Sequence, residues 1–540
     1  MSTAAFDIIH QMAKNKITFI LLLLIIIIAA FLRLYNINGL PPGLYPDEAM
    51  NGNNALEAIS SPHLLKSILT FGNSGDGFKV FYPENNGREG LFINIQAVSV
   101  AIFGNQPWAL RGVSAIFGIL TVLGVYFLTK ELFRKEDEQP KYFRGLKLSE
   151  TIALLAAFFL ATNFWHINFS RIGFRAITAP FWLTWGLYFL LLAFRKNSFK
   201  LMALAGFVFG MGIHSYIAYR ATPVIIAIIF GYWYFQYKEK RKELMKSFGI
   251  FVLLAFIAAL PLLYYFAIHP QDFMGRTSQV SIFSTPSPIK SLVSNTVKTA
   301  LMFDFSGDAN WRHNYSGRPE LFWPVGIMFI AGIIMGLFYL FRKTKNPTIL
   351  SNNTYPTSAQ NNSFERFPFL VLFSWLVVAA LPVVMSDEGI PHSLRSILMI
   401  PPAFILAGFG GIWIYEKTAA KISDIRIRET IITAILILIM SEAYYTYFIS
   451  WGKNPNILGA FAQNYVDIGR ELNALPQSMP KFVIVKAGGV DVRGLPMPTQ
   501  TTMFITDTFT PEKQKEKNIF YILPDQEKNI PANSHTDVIE

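Results

Sequence analysis

Long apolar runs alternate with short polar segments along the whole chain. Runs near 17–34, 108–133, 151–165, 176–194, 201–216, 222–235, 248–268, 322–341, 367–385, 397–415 and 431–448 approach the roughly 20 residues that an α-helix needs to cross a bilayer. The pattern predicts an all-α polytopic membrane protein with about eleven transmembrane helices. A further apolar stretch, 91–103, is too short to span and is placed as an interfacial helix. The first run follows Lys14 and Lys16 but lacks a small-x-small cleavage site, so it reads as a retained span rather than a removed signal.

The polar segments sort by charge. Lys14 and Lys16 precede the first span. Lys130, Arg134, Lys135, Lys141, Arg144 and Lys147 follow the second; Arg195, Lys196 and Lys200 follow the fourth. Lys238, Lys240, Arg241, Lys242 and Lys246 follow the sixth, Arg342, Lys343 and Lys345 the eighth, and Lys417, Lys421, Arg426 and Arg428 the tenth. Every second loop is basic, which places the N-terminus in the cytoplasm and the C-terminus outside. The expected external segments are 36–107, the turns at 166–175 and 214–220, 269–321, 386–395 and everything after 450. Two parts result: a transmembrane module, 1–450, whose first external loop is 36–107, and a small extracytoplasmic domain, 451–540. Short β-like runs at 482–485, 502–505 and 519–523 predict an α/β cap, with a frayed polar tail after Asp525. The Asn/Ser/Thr-rich segment 351–363 reads as a cytoplasmic linker.

Composition agrees. The chain is 52% hydrophobic, 15% aromatic and only 15% charged, as lipid-facing helices with aromatic belts require. The net charge of +12 sits largely in the basic loops, so it argues for topology and against nucleic-acid binding. The absence of cysteine excludes disulfides, thiolate catalysis and Cys-ligated metals.

The interiors of the spans carry almost no charge. Ionisable residues collect at the external ends instead, including Arg111, Arg171, Arg175, His214, Arg220, Arg395 and Glu442. A transporter places its charges nearer the midplane; this distribution points to a site at the outer surface for a ligand that is half lipid and half polar. Directly after the first span, Pro41-Pro42-Gly43 ends the helix, and Asp47-Glu48 opens a new amphipathic segment. Carboxylates there are either helix caps or catalytic groups. Next comes Asn86-Gly87-Arg88-Glu89, where Arg88 suits a phosphate or a local pair with glutamate. His166 to Arg175 carries Arg171 and Arg175 across a turn on the sparsely basic side. His214, Tyr216 and Arg220 form another outer turn, and His392 with Arg395 a third. For each lone histidine, a satisfied structural role stands beside a binding role. Trp311-Arg312-His313-Asn314 in the long loop suits a sugar.

This order of elements resembles the GT-C glycosyltransferases over about residues 15–450: one span, Pro-x-x-Leu-x-x-Asp-Glu-Ala, an Asn-Gly-Arg-Glu loop, a His-x-x-x-Ser-Arg turn and a Pro-His-x-x-Arg loop. More narrowly it resembles bacterial relatives of the protein O-mannosyltransferases and of the lipid A aminoarabinose transferase. The resemblance implies an inverting transfer of a monosaccharide from a polyprenyl-phosphate donor to an acceptor hydroxyl on protein, lipid or glycan, at the extracytoplasmic face of the plasma membrane. It implies Asp47 as general base, with Glu48 orienting base or acceptor. It places Arg88, Arg171, Arg175 and Arg395 toward the donor phosphate, and Glu89, His166, His214, Tyr216, Arg220 and His392 toward the substrates. Gly-Arg-Glu stands where relatives often have Glu-Lys-Pro. No particular cofactor is identified and metal dependence stays open: a divalent cation held loosely by carboxylates is compatible, while a structural zinc site is not expected. No Gly-rich phosphate loop is present, in keeping with a donor that is already lipid-linked. The alternatives from other classes are a transporter or flippase of lipid-linked saccharides, and a membrane scaffold with an external cap.

Overall fold

The computed structural model describes residues 3–69, 77–134, 146–273, 281–342 and 366–540. The linker at 351–363 and the basic residues Lys135, Lys141, Arg144, Lys343 and Lys345 lie outside them, as do the side chains of Lys14 and its predecessors.

Among the described residues, nine helices are long and apolar enough to cross a membrane. They are Lys16–Leu34, Pro107–Leu132, Arg175–Lys196, Ile217–Gln236, Lys238–Ile268, Trp323–Phe341, Arg366–Val384, Ile397–Ala419 and Ile425–Trp451. The chain is a multi-pass membrane protein. The two remaining apolar runs form shorter helices, Leu148–Ala161 and Phe199–His214, and 91–103 forms a third, Gly90–Phe103. Several helices begin with proline at the first turn, where its missing N–H costs nothing: Pro107, Pro223 and Pro324.

Helix Ile400–Ala419 is buried continuously from Ile400 to Gly410 and forms the centre of the bundle. Helix Trp323–Phe341 crosses it at close range. A Cβ on Gly332 would lie 2.0 Å from the Leu406 carbonyl oxygen, and one on Gly410 would lie 1.9 Å from that of Met328. Small residues at such a crossing let backbones approach where lipid gives no hydrophobic drive to association.

The segment after the last long helix folds as an α/β layer. Its parallel sheet has the order Ile519–Ile522, Lys481–Val485, His535–Ile539, with Val483 opposite Tyr521 on one side and Asp537 on the other. Two expectations are corrected here. The run 502–505 is not a strand but part of helix Thr499–Thr506. Met497, Gln500, Met503 and Phe504 are all buried, a helical spacing that overrides the β-branched composition. The tail after Asp525 is not frayed to the end, because His535–Ile539 supplies the third strand.

This layer packs onto the first loop. Asn53 donates to the backbone carbonyl and side-chain oxygen of Gln500 at 3.0 and 2.9 Å, and the Thr501 hydroxyl donates to the Leu44 carbonyl at 2.9 Å. Arg493 grips Glu57 at 2.7 Å and Glu84 at 3.0 Å.

Candidate functional site

The loops that carry the predicted residues converge at one end of the bundle. Tyr45 ends the turn after the first span, and helix Pro46–Ser60 starts at Pro46 with Asp47 and Glu48 in its first turn. The two carboxylates part company at once. Glu48 is fully buried and takes Arg111 Nε at 3.0 Å, Arg111 Nη2 at 3.1 Å and the Gly173 N–H at 2.6 Å. Arg111 continues to the carbonyls of Pro41 at 2.6 Å and Gly43 at 2.9 Å, so this pair fixes the turn itself. Asp47 is only half-buried, and one of its oxygens accepts from the side-chain amide of Asn85.

Arg88 lies within electrostatic reach of Asp47. A two-residue hairpin, Phe81–Tyr82 paired with Arg88–Glu89, delivers it. Its guanidinium donates to Asn51 Oδ1 at 2.7 Å and Asn54 Oδ1 at 2.5 Å on helix Pro46–Ser60. Glu84 forms only a stretched ion pair with it at 4.0 Å and accepts from Nε through its carbonyl at 3.3 Å, so the shortest contacts of the buried charge are to neutral amides. Burial and then Arg175 draw Arg88 down to about 10, which leaves it charged at neutral pH.

Beside it, Glu89 binds Arg175 at 2.6 Å and Arg220 at 3.7 Å. Burial alone would raise the Glu89 carboxyl, but the two guanidinium groups outweigh it and hold it below its ordinary range. The Tyr216 ring lies under Arg175, 5.7 Å from centroid to Cζ. Thus Arg88, Glu89, Arg175, Tyr216 and Arg220 form one cluster adjoining Asp47.

The other expected residues are placed elsewhere. His166 is buried against Arg33, 2.7 Å from Nδ1, and burial holds it well below its ordinary pKa. Arg171 donates to the carbonyls of Leu32 at 3.2 Å and Leu40 at 2.6 Å and lies over Tyr447 and Phe448; it supports the first loop from behind. His214 bonds the Ala258 carbonyl at 2.9 Å. Arg395 is tied to Glu388 at 2.9 Å and to Ser386. His392 lies against His313 and Asp308, 4.8 Å between ring centroids.

Further residues adjoin the site, among them Arg312 of the segment expected to suit a sugar. Arg312 lies 3.6 Å from the centroid of the Tyr45 ring. Asn168 donates to the carbonyls of Arg312 at 2.8 Å and His313 at 3.1 Å, tying the long loop to the His166–Arg175 turn. Asn85 has a left-handed backbone, φ 53°, as does Asn86, which is how this tight loop presents the Asn85 amide to Asp47. The Asn-Asn-Gly sequence was the available signal for that turn.

No family model and no curated protein matches the sequence. Among solved structures, ArnT from Cupriavidus metallidurans in the apo state is similar at 13% identity, over 94% of this chain and 85% of that one, with a TM-score of 0.51. The same protein bound to undecaprenyl phosphate gives 12% identity, 97% and 89% coverage and a TM-score of 0.50. The chain has a GT-C-like fold. An Archaeoglobus fulgidus oligosaccharyltransferase, solved with zinc and sulfate, aligns at 15% identity over 95% of this chain with a TM-score of 0.49. This chain spans 64% of that protein's length.

Proposed function

We propose that this chain is a glycosyltransferase that takes a sugar from a polyprenyl-phosphate donor and passes it to an acceptor hydroxyl at the outer face of the plasma membrane. The observation that carries this reading is the electrostatic proximity of Asp47 to Arg88. A half-buried carboxylate lies within electrostatic reach of a buried guanidinium whose ion pair with Glu84 is stretched to 4.0 Å, at the loop end of a GT-C-like bundle. ArnT bound to undecaprenyl phosphate, a relative in fold, makes a lipid phosphate the natural donor.

The chemistry divides between them. The acceptor oxygen forms a bond to the anomeric carbon while its proton passes to Asp47. The bond from that carbon to the phosphate oxygen breaks, and its electron pair leaves on the polyprenyl phosphate. Arg88 meets the developing phosphate charge, with Arg175 and Arg220 behind it; Glu89 keeps those two from closing on the phosphate site before donor arrives. Attack opposite the phosphate inverts the anomeric centre. Glu48 holds the loop through Arg111 and leaves the proton transfer to Asp47.

Transfer of radiolabelled sugar from a panel of polyprenyl-phosphate monosaccharides tests this with purified protein in lipid. Wild type is expected to consume one donor, and Asp47→Asn to bind that donor without turnover. Equal turnover by both proteins would remove Asp47 from the mechanism, and absence of donor binding by wild type would overturn the reading.

A further inference from the structure

The long loop after helix Pro288–Leu301 brings Asp308 and His313 against His392, which comes from the loop before helix Ile397–Ala419. The three offer ligand atoms that all lie within 4.8 Å of one another. Oδ2 of Asp308 stands 3.1 Å from Nδ1 of His313 and 4.0 Å from Nδ1 of His392. Two donors bonded to one tetrahedral ion at 2.0–2.2 Å lie about 3.4 Å apart, and the observed pair of distances brackets that value.

The surroundings are built for a fixed ligand set. Asp308 is oriented by the Asn310 N–H on Oδ1 at 2.8 Å and the Ser393 N–H on Oδ2 at 2.9 Å. Glu320 supports both loops from the second layer, taking the Ser393 hydroxyl at 2.5 Å and the Asp308 N–H at 3.4 Å. Asp308 and His313 are buried, and Nε2 of His313 is buried with no hydrogen-bond partner. His392 is too far from Oδ2 for a hydrogen bond, and its Nδ1 receives only the 3.4 Å contact from the Arg395 N–H. Two imidazoles therefore face one carboxylate oxygen, and only that of His313 lies within hydrogen-bond distance of it.

We propose that Asp308, His313 and His392 bind a divalent transition metal of the zinc class, with water in the fourth position. Two imidazoles and one carboxylate select zinc or its neighbours over magnesium and calcium, which take oxygen ligands. The ion ties the loop 303–321 to the loop 386–396. Through His313 it also steadies Arg312, whose guanidinium rests on Tyr45, two residues before Asp47. The proposal stands on the ligand geometry and is read by metal content, so its failure is distinguishable from failure of the reaction proposed above, even though Asp47 lies within electrostatic reach of His313.

The test is metal content of full-length protein purified without a polyhistidine tag, by inductively coupled plasma mass spectrometry, followed by chelation and titration with Zn²⁺ and Co²⁺. Wild type is expected to hold one equivalent, to show the visible absorption of four-coordinate Co²⁺, and to gain thermal stability on adding Zn²⁺. His392→Ala, which removes a ligand but no hydrogen bond to Asp308, is expected to lose the metal, and its melting temperature is expected not to rise on adding Zn²⁺. Asp308→Asn and His313→Gln provide second variants. A second cluster, Glu471, His535 and Asp537, lies in the C-terminal layer and is more exposed; His535→Ala is the control and is expected to retain the ion. Zinc uptake unchanged in His392→Ala, uptake lost in His535→Ala instead, or no uptake by wild type would each overturn the proposal.

Discussion

Glu48 and Arg111 form a fully buried ion pair, 3.0 Å apart, one residue from the half-buried Asp47. Adjacent carboxylates in one helical turn thus have separate tasks, and substitution separates them. Glu48→Gln strands the Arg111 charge in the interior and is expected to cost about 3–5 kcal/mol. Asp47→Asn removes only a helix-terminal charge, about 0.3–1 kcal/mol, yet is expected to lower turnover by about 10²–10⁴-fold. Thermal unfolding in detergent checks the first effect, and sugar transfer at matched folded fraction checks the second.

The docking of the C-terminal layer on helix Pro46–Ser60 rests on a glycine. A Cβ on Gly52 would lie 2.4 Å from the ring of Phe504, which is fully buried, and 2.9 Å from Leu110. Alanine normally favours a helix, but the ring has no space to move into. Gly52→Ala is expected to destabilise by about 1–3 kcal/mol through overpacking. Adding Phe504→Leu is expected to recover part of that loss, because contacting sites are non-additive. A double-mutant cycle by thermal unfolding measures the coupling; independent effects would mean that the two elements are not in contact.

The spans and the Asp47 region were legible because their signals are local: long apolar runs, and a Pro-Pro-Gly stop followed by acidic residues. The separation of Asp47 from Glu48 was not legible, since it depends on Arg111, delivered by the start of another helix. The turn 166–175 predicted two phosphate-facing arginines, but only Arg175 points into the cluster at Glu89. Arg171 instead caps the carbonyls of the first span and its following turn. His313 and His392 looked like isolated histidines because nothing in sequence relates two loops on opposite sides of two helices. In the C-terminal layer, Thr-Thr-Met-Phe-Ile-Thr has strand composition, and tertiary burial of Met503 and Phe504 decided for helix.

Glu89 gives the clearest pH signature. Its carboxyl is held below the ordinary value of 4.5 by Arg175 and Arg220 despite burial. The folded state therefore binds its proton less readily than the unfolded chain. The stabilisation is complete above 4.5 and is lost as pH falls through the folded value. The melting-temperature difference between wild type and Glu89→Gln is expected to be largest above pH 5 and to shrink toward pH 3. A constant difference across that range would mean that the carboxylate is not paired in solution.

Arg88 separates geometry from charge. Its planar fork reaches Asn51 and Asn54, and in the proposed reaction the same group meets the donor phosphate. Lysine retains the charge but cannot span both amides, so Arg88→Lys is not conservative here. Both Arg88→Lys and Arg88→Ala are expected to lower kcat/KM by about 10²–10³-fold, the scale of losing one preorganised group that stabilises transition-state charge. Arg88→Ala also leaves two buried amide oxygens without donors, about 1–3 kcal/mol each, so its unfolding temperature should drop further than that of Arg88→Lys. If Arg88→Lys turned over donor like wild type, the bidentate contact to the asparagines would be irrelevant to catalysis and a point charge would suffice at this position. Transfer kinetics with a synthetic short-chain polyprenyl-phosphate sugar, alongside unfolding curves for both variants, distinguish these outcomes.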